Sequence, residues 1–160
     1  MRLLGLFLLG LWLAGCTLGG VDVQGNPEGG LDITVRLTEN EVNALIMGVL
    51  ANNPSIPLRN VTADLQPGRI VLNGTYNRPT GGTANGRIVL SVSVVDGVIR
   101  PVITEVDIEG FSANDATLRQ FNDQLGQALG ARGTQANRNA RITVLAITDT
   151  TLTFTLRVSR

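Results

Sequence analysis

The chain has 160 residues, 13 acidic against 13 basic side chains, 43% hydrophobic residues and one cysteine. All 13 bases are Arg, with neither Lys nor His, which excludes imidazole acid–base chemistry, Ser-His-Asp catalysis, His-containing metal sites, a Schiff-base lysine and a Walker-type phosphate lysine. A lone cysteine allows no intrachain disulfide or thiolate cluster, balanced charge leaves no electrostatic footprint for nucleic acid, and the length suits one domain with a real core.

The first element is an address. Met1-Arg2 gives a positive start, Leu3 to Leu13 is apolar apart from Gly5 and Gly10, and Leu13-Ala14-Gly15-Cys16 ends the run on small residues and the only cysteine. Eleven residues make roughly 16 Å of helix, about half a bilayer core. Charge, apolar stretch and small residues come in the order of an export signal over residues 1–15. The Leu-Ala-Gly-Cys quartet resembles the bacterial lipobox. That resemblance implies cleavage before Cys16, a diacylglycerol thioether on its sulfur and acylation of the new amino group by a fatty acid such as palmitate. Several acyl chains at about 0.8 kcal/mol per buried CH₂ make such an anchor effectively permanent. The blander alternative is an uncleaved signal with a buried free thiol. The expected product is an exported lipoprotein, held on the outer side of the cytoplasmic membrane or in an outer membrane. Thr17 differs from the Asp that marks inner-membrane retention in enteric bacteria.

Residues 16–30 read as the lipidated cysteine and a Gly-rich, flexible tether. Its fourteen residues after Cys16 would span on the order of 20 Å as coil and about 50 Å at full stretch. A single domain is expected over residues 31–160. Leu31, Ile33, Val35 and Leu37 alternate with polar residues as a half-buried strand. Thr38-Glu39-Asn40-Glu41 fits a capping box, with Leu37 and Val42 placed as a hydrophobic staple. Val42, Leu45, Ile46, Val49 and Leu50 then recur at helical spacing over an arc of about 140°. Asn52-Asn53-Pro54 ends that helix.

Two hairpins follow. Val61, Ala63 and Leu65 lead through a Pro67-Gly68 turn to a strand from Ile70 to Tyr76. Arg78 to Gly86 reads as a polar, Gly-rich loop. Ile88 to Val95 returns through Asp96-Gly97, a type I′ signal, into a long strand from Val98 to Ile108. Ile88, Leu90, Val92 and Val94 would share a face with Ile99, Pro101 and Ile103. The apolar phase then shifts to Val106 and Ile108, which predicts a bulge near Thr104 and Glu105. Pro101 suggests a sheet edge or another irregularity. Ser112 to Asp115 fits a second capping box, opening a helix with the stripe Leu118, Phe121, Leu125, Ala128 and Leu129. Gly126 and Gly130 weaken that helix or allow close approach to the sheet. Ala131 to Ala140 reads as a polar loop, and a last hairpin joins Ile142–Ile147 to Thr151–Val158 around Asp149-Thr150. The expected architecture is α+β: a curved, largely antiparallel sheet in the order β-α-β-β-β-β-α-β-β, packed on two helices.

The segments LTENEVNALI, NVTADLQPGRIVLNG and SVSVVDGVIRPVITEVDIEGFSANDATLRQFNDQL resemble the LmeA-like phospholipid-binding family of exported bacterial proteins, related to the tubular lipid-binding (TULIP) domains. The resemblance covers Leu31 to Val158 and carries no catalytic signature. It implies an apolar groove between sheet and helices that accepts acyl chains of a phospholipid or fatty acid. Val42, Leu45, Ile46, Val49, Leu90, Val92, Ile103, Leu118, Phe121 and Leu125 would line it. Each of these also reads as plain core.

Three functions are therefore weighed. One is a membrane-anchored lipoprotein that binds lipid or another apolar ligand, with no enzyme activity, cofactor, metal or nucleic-acid partner. The alternative is a structural or assembly envelope lipoprotein with a solid core and a protein partner. A third builds an enzyme or Ca²⁺ site on Glu105, Asp107 and Glu109, spaced i, i+2, i+4 on one strand face. Like charges so placed are more often a solvated face that discourages edge pairing. Gly81 to Gly86 offers an anion nest or, more simply, a flexible hairpin loop.

Overall fold

The computed structural model describes residues 20–54, 56, 58–78, 80–108, 115–134 and 140–159, with backbone only at 115–118 and 132–134. Cys16, the Ser112 to Asn114 portion of the second capping box and Glu109 lie outside them. Eight strands and two helices are described: β1 (Val21–Gly25), β2 (Leu31–Thr38), α1 (Glu39–Ala51), β3 (Leu58–Gln66), β4 (Arg69–Asn77), β5 (Thr83–Val95), β6 (Val98–Ile108), α2 (Asp115–Thr134), β7 (Ala140–Ile147) and β8 (Thr151–Val158).

The fold is α+β and antiparallel throughout, with two helices as expected. Its strands divide into two four-stranded sheets, ordered β1-β2-β8-β7 and β3-β4-β5-β6, which do not close into a barrel. The division follows from long-range pairing: β2 takes β8 as its partner, setting Leu31 opposite Val158 and Leu37 opposite Leu152. β1 arises where the sequence suggests only tether. Val21, Asp22 and Val23 pair with Val35, Thr34 and Ile33, because β2 presents an unpaired edge to the chain that precedes it. Three further boundaries move: α2 runs on to Thr134, β3 begins at Leu58, and β5 begins at Thr83, which shortens the expected loop to a turn.

Local chemistry explains the well-defined junctions. Glu41 N–H donates to Thr38 Oγ1 at 3.4 Å, while Thr38 N–H donates to Glu41 Oε2 at 2.9 Å. That completes the capping box, and both staple residues, Leu37 and Val42, are buried. Asp96 and Gly97 have φ of 53° and 76°, the left-handed pair that a type I′ turn requires, and Val95 sits opposite Val98. Val89 pairs with Glu105 but Leu90 pairs with Ile103, so Thr104 is the bulged residue. β6 with its Pro101 is a sheet edge.

The core lies between the sheets and the helices. α1 packs against β2, β8 and β3, so it bridges both sheets, while α2 packs on β6 and β7. Val42, Ile46, Phe121, Leu125 and Leu129 are fully enclosed with Leu72, Leu90, Leu152 and Phe154. Backbone bonds also join the sheets at their ends: Gly68 N–H donates to Ile147 O at 3.1 Å and Ile142 N–H to Gly97 O at 3.0 Å.

Two polar side chains of α1 protect the free edge of β3. Asn43 Oδ1 accepts from Ala63 N–H at 2.7 Å, and Glu39 Oε2 accepts from Leu65 N–H at 3.1 Å. Donors that would otherwise be unpaired on an edge strand are thereby satisfied. Buried Asn53 fastens the helices together, donating from Nδ2 to Val49 O at 2.8 Å and to Gln124 Oε1. At the other end of the first sheet, Arg157 grips Asp32 with two bonds, Nε to Oδ1 at 3.0 Å and Nη2 to Oδ2 at 3.3 Å. Asn26 Nδ2 donates to the same carboxylate at 3.1 Å. The Arg157 guanidinium, helped by Asn26, holds the Asp32 carboxyl below its ordinary range, and Asp32 raises Arg157 in turn.

Candidate ligand cleft

α2 carries Gly126 and Gly130 four residues apart, on the same helical face. Their surroundings differ sharply. A Cβ at Gly126 would stand 3.0 Å from Ile99 O and 3.1 Å from Pro101 Cδ, so this glycine marks where helix and β6 touch. A Cβ at Gly130 would meet no heavy atom of the described residues within 4 Å. One turn beyond the contact, helix and sheet have parted.

The gap is a cavity of about 600 Å³, floored by α2 and walled by the start of β6 and of β7. Ile99, Pro101, Ala140 and Ile142 supply its apolar surface, and Asn122, Asp123 and Gln127 its polar side on α2. Arg100 Nη1 stands 4.0 Å from Asp123 Oδ1 at the rim, with both side chains mostly exposed. A pair so solvated adds little stability. Asn122 matters more: its Oδ1 is buried and has no hydrogen-bond partner among the described residues. Such an orphan costs about 1–3 kcal/mol, and a hydroxyl, which both donates and accepts, would satisfy it.

A second cavity of about 490 Å³ lies between the helices, lined by Ala44, Leu45, Gly48, Val49 and Asn52 of α1 and by Gln124, Gln127, Ala128 and Ala131 of α2. Gln127 and Ala131 line both cavities, so the two meet across the same part of α2.

Of the ten residues expected along a groove, Val42, Ile46, Val49, Leu90, Val92, Phe121 and Leu125 are buried in the core. Leu45 and Ile103 are partly buried against it, and the Leu118 side chain lies outside the described residues. Leu45 and Val49 line the interhelical cavity, and none of the nine with described side chains lines the larger cleft. Sequence reasoning missed Ile99, Asn122, Ala140 and Ile142 as lining residues. The one signal available was the Gly126/Gly130 pair, which marks the helix face that turns toward the cleft.

Of the carboxylate row, Glu105 and Asp107 are described and Glu109 is not. Glu105 and Asp107 are exposed, and Glu105 Oε1 pairs with Arg87 Nη1 at 2.6 Å. Among the described residues no group of three His, Cys, Asp or Glu side chains is placed to hold a metal. Gly81 and Gly82 form a hairpin turn in which Gly81 N–H donates to Arg78 O and Arg78 N–H to Gly82 O. No helix among the described residues is long and apolar enough to cross a membrane.

Fold and cleft together define an α+β protein of two open antiparallel sheets bridged by helices. No protein-family model matches the chain, and no curated protein or solved structure matches it.

Proposed function

We propose that the chain is an exported lipoprotein, anchored through acyl chains on Cys16, whose domain binds a lipid or another apolar ligand beside α2. The observation that carries this reading is the cavity of about 600 Å³ between α2, β6 and β7. Its size falls in the usual range for small-molecule sites, about 300–1,000 Å³, and its lining joins apolar walls to a few polar groups as such sites do. Asn122 Oδ1, without a partner among the described residues, favours a ligand with a hydroxyl or comparable polar group at one end of an apolar body. Arg100 and Asp123 are the ionisable side chains among the described lining residues. That suits holding a ligand rather than transforming it. The membrane on which the lipoprotein sits would be the outer side of the cytoplasmic membrane or an outer membrane.

One observation favours a second reading, a structural or assembly lipoprotein with a protein partner: the expected groove residues Val42, Ile46, Leu90, Phe121 and Leu125 fill the core themselves. The two readings separate in a titration. The full chain, purified from bacterial membranes and stripped of bound lipid, should take up a fluorescent fatty acid saturably at one site. No uptake would leave the assembly reading in place. The intact mass of the same preparation should show Cys16 as an acylated N-terminus.

A further inference from the structure

The apolar face of the first sheet does not stop where its core stops. Residues directly opposite one another across neighbouring strands share a face. Phe154, Val35 and Val21 form one such row, and Leu156, Ile33 and Val23 the next. Along each row burial falls away toward β1. Phe154 and Leu156 are enclosed, Val35 is buried and Ile33 half-buried, yet Val21 is 66% exposed and Val23 55% exposed. Leu31, 45% exposed, extends the patch across the third row beside half-buried Val158. The opposite face of the same strands is polar, with Asp22, Thr34 and Thr155 in one row and Gln24, Asp32 and Arg157 in another. The β1 edge is thus two-faced, and its apolar face is open to solvent.

Chain length says what covers it. Cys16 stands five residues before Val21, which places Val21 at most about 18 Å from the anchored residue even with the chain fully extended. We infer that Val21, Val23 and Leu31 form a membrane-docking patch, seated on the lipid surface to which Cys16 is anchored. This rests on the lipoprotein reading above and adds orientation to it. The short reach turns a freely swinging domain into one presented edge-on, because the apolar patch and the anchor share one edge of the sheet. β7, which walls the cleft, lies three strands away, about 14 Å at ordinary strand spacing.

A tryptophan reporter tests this in the full chain. Trp12 is the one tryptophan of the sequence and leaves with the signal on cleavage before Cys16, so the processed chain is a silent background into which Val23→Trp or Gln24→Trp is introduced. The two positions are adjacent on β1 but face opposite sides. Each protein is purified from membranes and reconstituted into phosphatidylcholine vesicles with or without bromine on the upper acyl chain. Vesicle flotation is read alongside. Docking places the residue-23 indole about 5–10 Å into the headgroup–acyl boundary, so brominated lipid should quench Val23→Trp strongly and Gln24→Trp little. Adding Val21→Asp and Leu31→Asp should abolish the quenching while flotation persists. Flotation with equal or no quenching at both positions overturns the docking patch and leaves the anchor standing. Failure to float, with an unmodified Cys16 by mass, overturns both.

Discussion

Replacing Gly130 by leucine separates blocking of the cleft from damage to the fold, because both of its expected effects have known sign. A Cβ there meets nothing among the described residues within 4 Å, and the residue lines the cavity of about 600 Å³. Glycine in a helix interior is about 1 kcal/mol worse than alanine, and leucine ranks just behind alanine. Gly130→Leu should therefore stabilise the domain by about 0.5–1 kcal/mol, raising Tm by about 2–4 °C. Its isobutyl group meanwhile occupies space a ligand would fill. Losing the burial of one such group on the ligand is worth about 1.5–3 kcal/mol, or about tenfold or more in affinity. Gly130→Ala is the control, since it brings the same helix gain with only a methyl group. Thermal denaturation and fatty-acid titration are run on all three proteins. Both variants should melt higher, with uptake retained by the alanine variant and weakened about tenfold or more by leucine. A leucine variant that melts higher and binds undiminished would refute the assignment of the cleft. One that melts lower would refute the open space beside Gly130.

Phe121 is fully enclosed on α2, and Phe121→Ala should cost about 3–5 kcal/mol, read as a lower urea midpoint; a loss below about 1 kcal/mol would mean α2 does not close the core. Gly74→Ala should destabilise by about 1–3 kcal/mol, since its Cβ would stand 2.7 Å from the backbone O of Arg59; unchanged urea denaturation would contradict that crowding. The Asp32–Arg157 contact carries a pH signature. Asp32 is held below the ordinary value of 3.8, so its contribution is present above that value and fades as pH falls through the lower folded value. The stability difference between the native chain and Asp32→Asn, from urea denaturation, should be constant above about pH 5 and shrink toward pH 2. A difference that grows on acidification would contradict the pairing.

Features governed by neighbouring residues were legible before the structure. The Thr38/Glu41 box, the Asp96-Gly97 turn and the Thr104 bulge each follow from side chains or an apolar phase within a few positions. β1 was not, because Val21–Gly25 is short, exposed along its whole length and set among glycines; only the edge offered by β2 makes it a strand. The split into two sheets likewise depends on pairing Leu31 with Val158, a choice no local pattern encodes. The groove residues illustrate a different limit. An apolar stripe such as Val42, Ile46, Phe121 and Leu125 reads the same whether it lines a cavity or fills one. Gly126 and Gly130 are identical as letters, and only tertiary packing makes one a contact and the other an opening.

Native mass spectrometry of the full chain, purified from bacterial membranes in mild detergent, bears most directly on ligand binding beside α2. The native chain should carry one noncovalent apolar adduct in addition to the acyl groups on Cys16, and Gly130→Leu should lack the adduct while keeping the acyl groups. A native chain without any adduct, or equal adducts on both proteins, would contradict a ligand held in the cleft between α2, β6 and β7.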